Sequence, residues 1–117
     1  MDIYLVLSEQ RRRDILEILA EKGKLAASTI SSYFKVSQAA ISQHLKVLKD
    51  AGLVKVEKKA QQIIYEINPE RLKEIEVWSR KMTLMWEKRF DKLDQLLQEE
   101  KKRKANLLQH QQSSGGD

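Results

Sequence analysis

One helical stretch in the middle of the chain carries side chains that could read a DNA duplex. It covers residues 36–54, VSQAAISQHLKVLKDAGLV, in which Asp50 is the only acid. When residues are spaced 100° apart around a helix and Ile41 is placed at the centre of the buried face, small, amide and lysine side chains fall on the far side. The predicted exposed residues are Ala39, Gln43, Lys46 and Asp50, with Ser42 and Lys49 on one shoulder and His44 on the other.

The chemistry of this exposed face suits both bases and phosphates. A glutamine such as Gln43 can pair with adenine through two hydrogen bonds, a serine can donate or accept, and the Ala39 methyl can touch the methyl of thymine. The ammonium groups of Lys46 and Lys49 suit phosphates. A helix that is merely solvated more often exposes glutamate and lysine, so we interpret this stretch as a recognition helix.

The positive charge of the chain is concentrated around the same stretch. The 117 residues carry a formal net charge of +5. Residues 22–59 hold eight lysines against Asp50 and Glu57, which gives that segment a net charge of +6. A concentrated basic surface favours polyanions, nucleic acid first. The alternative interpretation, a basic surface that only keeps the protein soluble, stays open on charge alone.

Several other functional classes find no support in the composition. The chain has no cysteine, which excludes disulfides and thiolate metal sites and makes the cytoplasm the expected location. It contains no run of ~18 apolar residues, so we expect no membrane span. No Ser-His-Asp set, HExxH motif or glycine-rich phosphate loop is apparent. We therefore expect a protein that is not an enzyme and that uses no metal and no cofactor.

The recognition helix must be held by neighbouring elements, which the hydrophobic pattern outlines. Residues 2–7 form a short apolar segment at the start of the chain. Ser8 is the predicted N-cap of the following helix, and Gly23 is its predicted end.

A helix-turn-helix is predicted immediately before and within the recognition stretch. A helix over residues 27–34 is followed by a turn at 35–37 and by the recognition helix over 38–51. Ser37 is the predicted N-cap of that second helix, and Gly52 is its predicted stop. The residues expected to point inward from the first of the two helices are Ile30, Tyr33 and Phe34.

The pattern then changes from a helical to an alternating period. Val54 and Val56 alternate with charged residues, and Ile63, Tyr65 and Ile67 alternate with their neighbours. Alternation of this kind indicates two half-buried strands of a hairpin. Because the connection lacks Asn-Gly or Asp-Gly, we expect a loose loop around residues 59–62. The hairpin would form a wing, with DNA contacts at its tip from Lys58, Lys59 and Gln61.

The last part of the chain is predicted to form a long amphipathic helix that begins at Asn68-Pro69. Its apolar stripe is longer than the small preceding domain can cover, and such a stripe usually packs on a partner helix. The predicted organisation is a DNA-binding domain over 1–68, a dimerisation helix over 69–104 and a disordered polar tail over 105–117. The stripe consists of Leu72, Ile75, Trp78, Met82, Met85, Trp86, Leu93, Leu96 and Leu97.

These motifs together resemble the winged helix-turn-helix repressors of the ArsR type. The matching stretches are RRRDILEIL at residues 11–19, the segment over 36–54 and the strand IIYEI at 63–67. The last helix, VWSRKMTLMWEKRFDKLDQLL, resembles that of the SdpR-like, metal-independent branch through Trp78 and Trp86. The expected fold is mainly α with a small β-hairpin, a winged helix-turn-helix with a long C-terminal dimerisation helix.

The resemblance implies a homodimer that represses transcription by binding a pseudo-palindromic operator in double-stranded DNA. The positions that match the family's DNA-reading residues are Ser37, Gln38, Ser42 and Gln43, and His44 matches a histidine near the DNA backbone. Contacts between the two chains are expected from the first and last helices. The residues predicted for them are Leu5, Leu72, Ile75, Trp78, Met82, Met85, Trp86 and Leu93.

The sequence departs from the family pattern at positions that bear on regulation. Where many relatives carry a Cys-x-Cys metal motif, this chain has Ala26 and Ser28, and residues 69–104 contain no histidine for the metal site that other relatives have on the last helix. At the wing tip, where relatives often have Gly and then Arg, it has Ala60 and Gln61. These departures speak against metal-thiolate control and against a minor-groove arginine at the wing.

Two other functions stay open on the sequence. A hydrophobic molecule near Trp78 and Trp86 would make the protein a ligand-sensing regulator with an unknown inducer, although packing is the commoner role of such tryptophans. Alternatively, the winged helix could bind an acidic protein rather than DNA, because a fold does not fix a function.

Overall fold

The computed structural model describes the backbone of residues 1–114 and the side-chain surroundings of residues 1–108. Five helices and three short strands follow one another within this range, which confirms the expected fold class of a mainly helical protein with a small antiparallel sheet. Their order is α1 (Ile3–Leu7), α2 (Gln10–Lys22), β1 (Leu25–Ala26), α3 (Ala27–Ser32), α4 (Gln38–Asp50), β2 (Val54–Lys59), β3 (Gln62–Ile67) and α5 (Pro69–Ser114).

The first apolar segment is a helix of its own, and this changes the role of Ser8. The predicted N-cap function of Ser8 is wrong, because Ser8 lies at the C-terminal cap of α1 and its hydroxyl donates to the carbonyl of Leu5 at 2.6 Å. The N-cap of α2 is Glu9, whose side chain makes no capping hydrogen bond. The end of α2 at Gly23 is confirmed, with φ at 84°.

The sheet has one strand more than the predicted hairpin. The strand order is β1-β3-β2, and β1 pairs antiparallel with β3 so that Leu25 lies opposite Tyr65. A strand of two residues is too short to show an alternating pattern, so the sequence could not reveal it.

The connection between β2 and β3 is tighter than predicted. The two strands pair up to Lys59 and Gln62, so only Ala60 and Gln61 form the turn, and the prediction of a loose loop over 59–62 is wrong. Ala60 adopts φ of 55°, a left-handed conformation that glycine or asparagine usually supplies in two-residue hairpin turns. The pairing of the strands imposes this conformation on a residue that does not favour it.

A single hydrophobic core holds the small domain together. Six side chains at its centre are almost inaccessible to solvent, and α4 contributes three of them: Ile15, Ile30, Ile41, Leu45, Leu48 and Leu53. Of the residues predicted to point inward from α3, Ile30 is buried and Phe34 packs against the core, but Tyr33 is exposed. Since α3 ends at Ser32, the helical period that placed Tyr33 inside does not extend to it.

Residues 1–75 form one compact unit, and the chain from Glu76 onward forms a second. The first turns of α5 belong to the first unit, because Leu72 and Ile75 pack against the core. The helix continues past the predicted boundary at residue 104 to Ser114, so the described part of the predicted disordered tail is helical, and residues 115–117 lie outside the described residues. No helix in the described chain is long and apolar enough to span a membrane.

Candidate nucleic-acid interface

The recognition helix α4 starts where the sequence predicted. Ser37 has extended backbone angles, and its side-chain oxygen accepts a hydrogen bond from the amide of Ala40 at 3.1 Å. This bond satisfies one of the amides that have no partner at the start of a helix. At the other end, Gly52 follows the helix with φ of 73°. The boundaries of α4 are therefore fixed by local hydrogen bonding and by one glycine.

Packing fixes which side of α4 faces outward. Ile41, Leu45 and Leu48 are buried with at most 1% exposure, so the opposite side of the helix faces solvent. The predicted exposure is confirmed for Ala39, Gln43, Lys46 and Asp50 on the far side and for Ser42 and Lys49 on the shoulder. Ser37 and Gln38, at the start of the helix, are exposed as well.

The N-terminal half of this exposed surface is neutral or positive. The first turn of α4 contains no acid, and Asp50, the only carboxylate of the helix, is its last residue. Hydroxyls and amides thus cluster at the end of the helix that carries the positive pole of the helix dipole. Such a surface can approach negatively charged DNA without a repelling carboxylate.

His44 differs from the other predicted contacts because its ring is half buried. Its Nδ1 is buried and has no hydrogen-bond partner among the described residues. A phosphate could therefore be reached only through Nε2. The contact of His44 with the DNA backbone stays a prediction.

The wing places its predicted contacts on different faces. Lys58, Lys59 and Gln61 are all exposed. Lys58 pairs with Ile63 and Lys59 pairs with Gln62, and successive residues of a strand point to opposite faces. Lys58 therefore lies on the face of the hairpin that carries Tyr65, whereas Lys59 lies on the other face. A duplex running along one face would meet one of the two ammonium groups directly.

The lysines of α4 and of the wing are free to meet phosphates. None of Lys46, Lys49, Lys58 and Lys59 forms an ion pair with a side chain in the described part of the protein. Within the wing, Glu66 of β3 pairs with Lys24 at 3.9 Å. Phosphate contacts by these lysines would not have to break an internal salt bridge.

Three neighbouring arginines of α2 have internal roles that the sequence left undecided. Arg12 donates to the carbonyl of Val6 at 3.3 Å, and Arg13 donates to the carbonyl of Leu7 at 2.7 Å. These contacts cap the end of α1. The guanidinium of Arg11 lies 5.1 Å from the centre of the Phe34 ring, within the range of a cation–π contact.

The residues predicted to contact a second chain fall into two groups. Leu72 and Ile75 pack against the core of their own chain. The others are exposed to solvent, with Leu5 at 70%, Trp86 at 54% and Leu93 at 51%. The exposed group comprises Leu5, Trp78, Met82, Met85, Trp86 and Leu93.

Aromatic and cationic side chains cluster within the exposed stripe of α5. The rings of Trp86 and Phe90 meet edge to face with centroids 4.7 Å apart, and the Arg89 guanidinium lies 5.7 Å from the Trp86 ring. A shallow apolar concavity on the same helix is lined by Val77, Leu84 and Met85 with Arg80, Lys81 and Lys88. Neither tryptophan lines it.

The described residues contain no group of three or more His, Cys, Asp or Glu side chains arranged to hold a metal ion. The positions that match the family's Cys-x-Cys motif, Ala26 and Ser28, lie in β1 and at the start of α3 and carry no side chain that commonly binds metals.

Helix α2, the helix-turn-helix and the start of β2 match a known family of bacterial proteins. Residues 9–56 match the profile of the arsR family of bacterial regulatory proteins. The chain is 32% identical over 77 residues to the transcriptional repressor SdpR of Bacillus subtilis (strain 168), which covers 66% of this chain and 84% of that repressor. It is 33% identical over 69 residues to the arsenical resistance operon repressor of the same organism, with 59% of this chain and 66% of that protein covered.

Solved structures show the same architecture. An ArsR-like transcriptional regulator from Rhodococcus sp. RHA1 superposes with a TM-score of 0.70 at 26% identity, over 80% of this chain and 88% of that one. A homodimeric winged helix-turn-helix DNA-binding domain from Mycobacterium bovis has a TM-score of 0.57 at 23% identity, over 69% and 75% of the two chains, and that likeness concerns the fold alone. The predicted winged helix-turn-helix fold is confirmed.

Proposed function

Because this chain belongs to the ArsR family of bacterial regulatory proteins, we propose that it represses transcription by binding a pseudo-palindromic operator as a homodimer. The observation that carries the proposal is the exposed face of α4. Its hydroxyls, amides and lysines are held outward by three fully buried aliphatic side chains. This surface combines base-reading groups with phosphate-binding groups on one rigid element.

In the proposed complex, the N-terminal half of α4 enters the major groove. Gln38, Ser42 and Gln43 would meet base edges, and Ala39 would contact a thymine methyl. Lys46 and Lys49 would bind phosphates beside the groove. At the wing, Lys58 or Lys59, depending on which face of the hairpin meets the duplex, would add a phosphate contact that makes the affinity more dependent on salt.

A twofold-symmetric operator requires two copies of α4, and the exposed stripe of α5 supports a homodimer. Large apolar side chains in such a row are rare on the surface of monomers and mark association surfaces. The winged-helix domain from Mycobacterium bovis is homodimeric in solution, and we propose the same state for this chain. Dimer contacts would come from Leu5 and from the exposed part of the stripe, which comprises Trp78, Met82, Met85, Trp86 and Leu93.

We further propose that the repressor is not controlled through a metal held by thiolates. The chain contains no cysteine, and the positions that match the Cys-x-Cys motif are the small residues Ala26 in β1 and Ser28 in α3. Any inducer would have to act through other chemistry. DNA binding also accounts for the exposed residues without assigning a catalytic role to any of them.

Selection of bound duplexes from a random pool, followed by fluorescence anisotropy on the enriched sequence, tests the proposal. The expected result is a twofold-symmetric consensus with half-sites one helical turn, or a multiple of a turn, apart. The affinity should fall linearly with the logarithm of salt concentration. If the enriched duplex binds no more tightly than a scrambled duplex of the same composition at moderate salt, specific DNA recognition is refuted.

Control by an aromatic ligand is a second proposal, favoured by the half-exposed rings of Trp78 and Trp86. Titration of intrinsic tryptophan fluorescence with a panel of small aromatic compounds tests it. Saturable quenching together with loss of operator binding is expected. A flat response across the panel would leave packing as the role of both rings.

An acidic protein partner for the basic face is the remaining alternative. A competition experiment decides whether the basic face binds an acidic protein or the operator duplex. A bound acidic protein that excess operator duplex fails to displace would favour the protein partner over DNA.

A further inference from the structure

Asn68, just before α5, and Arg71, in its first turn, donate hydrogen bonds to the three backbone carbonyls that follow α4. Arg71 donates from Nε to the carbonyl of Ala51 at 2.9 Å. The Asn68 side chain donates from Nδ2 to the carbonyl of Gly52 at 2.9 Å, and the Asn68 backbone amide donates to the carbonyl of Leu53 at 3.0 Å. We call this set of contacts the α4–α5 clamp.

At the carbonyl of Ala51, the C-cap of α4, the clamp satisfies a group that a helix end leaves without a partner. The last carbonyls of an α-helix have no amide ahead of them in the helix, and they carry the negative pole of the helix dipole. A guanidinium at this place is a favourable partner because it is cationic and donates in a fixed geometry. The Arg71 side chain is only 30% exposed, so water competes for it less than at an open surface.

Arg71 is itself held from the side of α5. Its Nη1 forms an ion pair with Glu74 at 2.6 Å, one turn further along the same helix. Its aliphatic part lies against Gly52, where an added Cβ would come within 3.4 Å of Arg71 Cγ. The guanidinium thus joins a carboxylate of α5 to a carbonyl at the end of α4.

From these contacts we propose that Arg71 is a positioning residue for DNA recognition, which aligns α4 through the carbonyl of Ala51. The inference rests on the proposed function, since it assigns a role in reading DNA to a residue outside the reading surface. An α-helix moves as a rigid rod, so a shift at its C-terminal end displaces the base-reading side chains at its other end. Reading groups must be held to within about 0.5 Å, which a loosened helix end would not provide.

The test compares Arg71→Gln with Lys73→Gln by fluorescence anisotropy on the selected operator and on a scrambled duplex. Lys73→Gln is the matched control because it removes the same charge from an exposed residue two positions away. If this bond holds α4 in the orientation that binds DNA, its loss lowers the population of that orientation by up to about tenfold, and the apparent affinity falls by the same factor. We expect Arg71→Gln to bind the operator about tenfold more weakly, with binding to the scrambled duplex changed by less than about twofold.

A direct phosphate contact by Arg71 would give a different result. It would weaken binding to both duplexes equally and would reduce the salt-dependence slope by about 0.9. Equal weakening of this kind, or an operator affinity like that of Lys73→Gln, would overturn the positioning role. Asn68→Ala, which removes the bond to the carbonyl of Gly52, should lower the operator-to-scrambled affinity ratio in the same direction.

Amide hydrogen exchange gives a readout that needs no DNA. The amides of Ala51, Gly52 and Leu53 donate to carbonyls inside α4. They should exchange faster in Arg71→Gln than in Lys73→Gln, while amides of α2 stay unchanged. If Arg71→Gln folds normally and exchange at all three amides is unchanged, the clamp is refuted.

Failure of the inference and failure of the proposed function are distinguishable. If the unmodified protein selects no operator, the proposed function fails, the role of Arg71 in DNA reading falls with it, and exchange alone decides whether the clamp holds α4. If the unmodified protein binds its operator and Arg71→Gln binds it equally well, only the positioning role fails.

Discussion

Gln43 lies at the centre of the exposed face of α4, opposite a row of buried aliphatic residues. Its amide can accept and donate at the same time, which is what discrimination of adenine in the major groove requires. No neighbouring side chain within the described residues forms a hydrogen bond with it that would have to break before DNA binds. Base preference is therefore expected to depend strongly on this residue.

Gln43→Ala should relax base preference at one operator position by about 1–3 kcal/mol. Anisotropy measured on operators that carry each of the four base pairs at that position checks this value. Gln95→Ala, which removes the same amide from an exposed site on α5, is the control. A preference profile in Gln43→Ala identical to that of the control would contradict base reading by Gln43.

Tyr65 provides a prediction for alkaline pH. Burial raises the pKa of the Tyr65 phenol. As the pH rises, the unfolded chain loses the Tyr65 proton before the folded protein does. The contribution of the neutral phenol to folding stability is therefore complete below the unfolded-state pKa of about 10, and it is lost as the pH rises through the folded-state pKa. Urea unfolding at about pH 8 and about pH 11 should show a smaller loss of stability in Tyr65→Phe than in the unmodified protein. Tyr33→Phe, at an exposed position, should leave the loss unchanged.

At the scale of elements, α4 depends on its first hydrogen bond as well as on its buried face. The Ser37 side chain accepts from the amide of Ala40, and among the described residues no second side chain caps this end. Ser37→Ala should therefore lower the free energy of unfolding by about 1 kcal/mol. Urea unfolding measures this loss, with Ser79→Ala on the exposed surface of α5 as the control. Equal stability of the two variants would show that the cap contributes nothing.

The hairpin has a turn conformation that its own turn residues do not favour. The strands pair up to Lys59 and Gln62, which leaves a two-residue turn although neither Ala60 nor Gln61 favours one. Pairing of Val56 with Tyr65 places both residues on the core face, and a shift of one residue would expose that face. Burial therefore fixes the register, and the turn adopts the conformation that the register demands.

At the scale of the whole molecule, the apolar stripe of α5 is the feature that one chain leaves uncovered. Met82, Trp86, Leu93 and Leu97 are exposed although they share the helical spacing of a packed face. Exposed rows of this kind are stabilised when a second helix covers them. A stable homodimer is therefore expected at working concentrations.

Leu93→Glu should raise the dimer dissociation constant at least tenfold, because placing an unpaired carboxylate in an apolar interface costs more than about 1.4 kcal/mol. Sedimentation velocity over a concentration series measures the constant. Gln95→Glu introduces the same charge outside the stripe and should leave the dimer intact. A protein that sediments as a monomer without any substitution would contradict both the dimer and the symmetric operator.

The sequence by itself determined helix α4 and most of the elements around it. The spacing of Ile41, Leu45 and Leu48 fixed the buried side of α4, and with it the outward position of Gln43 and Lys46. The ends of α2 and α4 were likewise predictable, since Gly23, Ser37 and Gly52 act on the backbone within one or two turns. Periodicity and capping are local properties, so they can be read from neighbouring residues.

Only the tertiary structure decided which distant groups meet. Leu25 pairs with Tyr65, and Arg71 donates to Ala51, twenty residues earlier in the chain. Ser8 ends α1 instead of starting α2 because the apolar segment before it folds as a helix. No local pattern encodes these partners, since they are chosen by how the buried faces pack and by which backbone groups that packing leaves in need of a hydrogen bond.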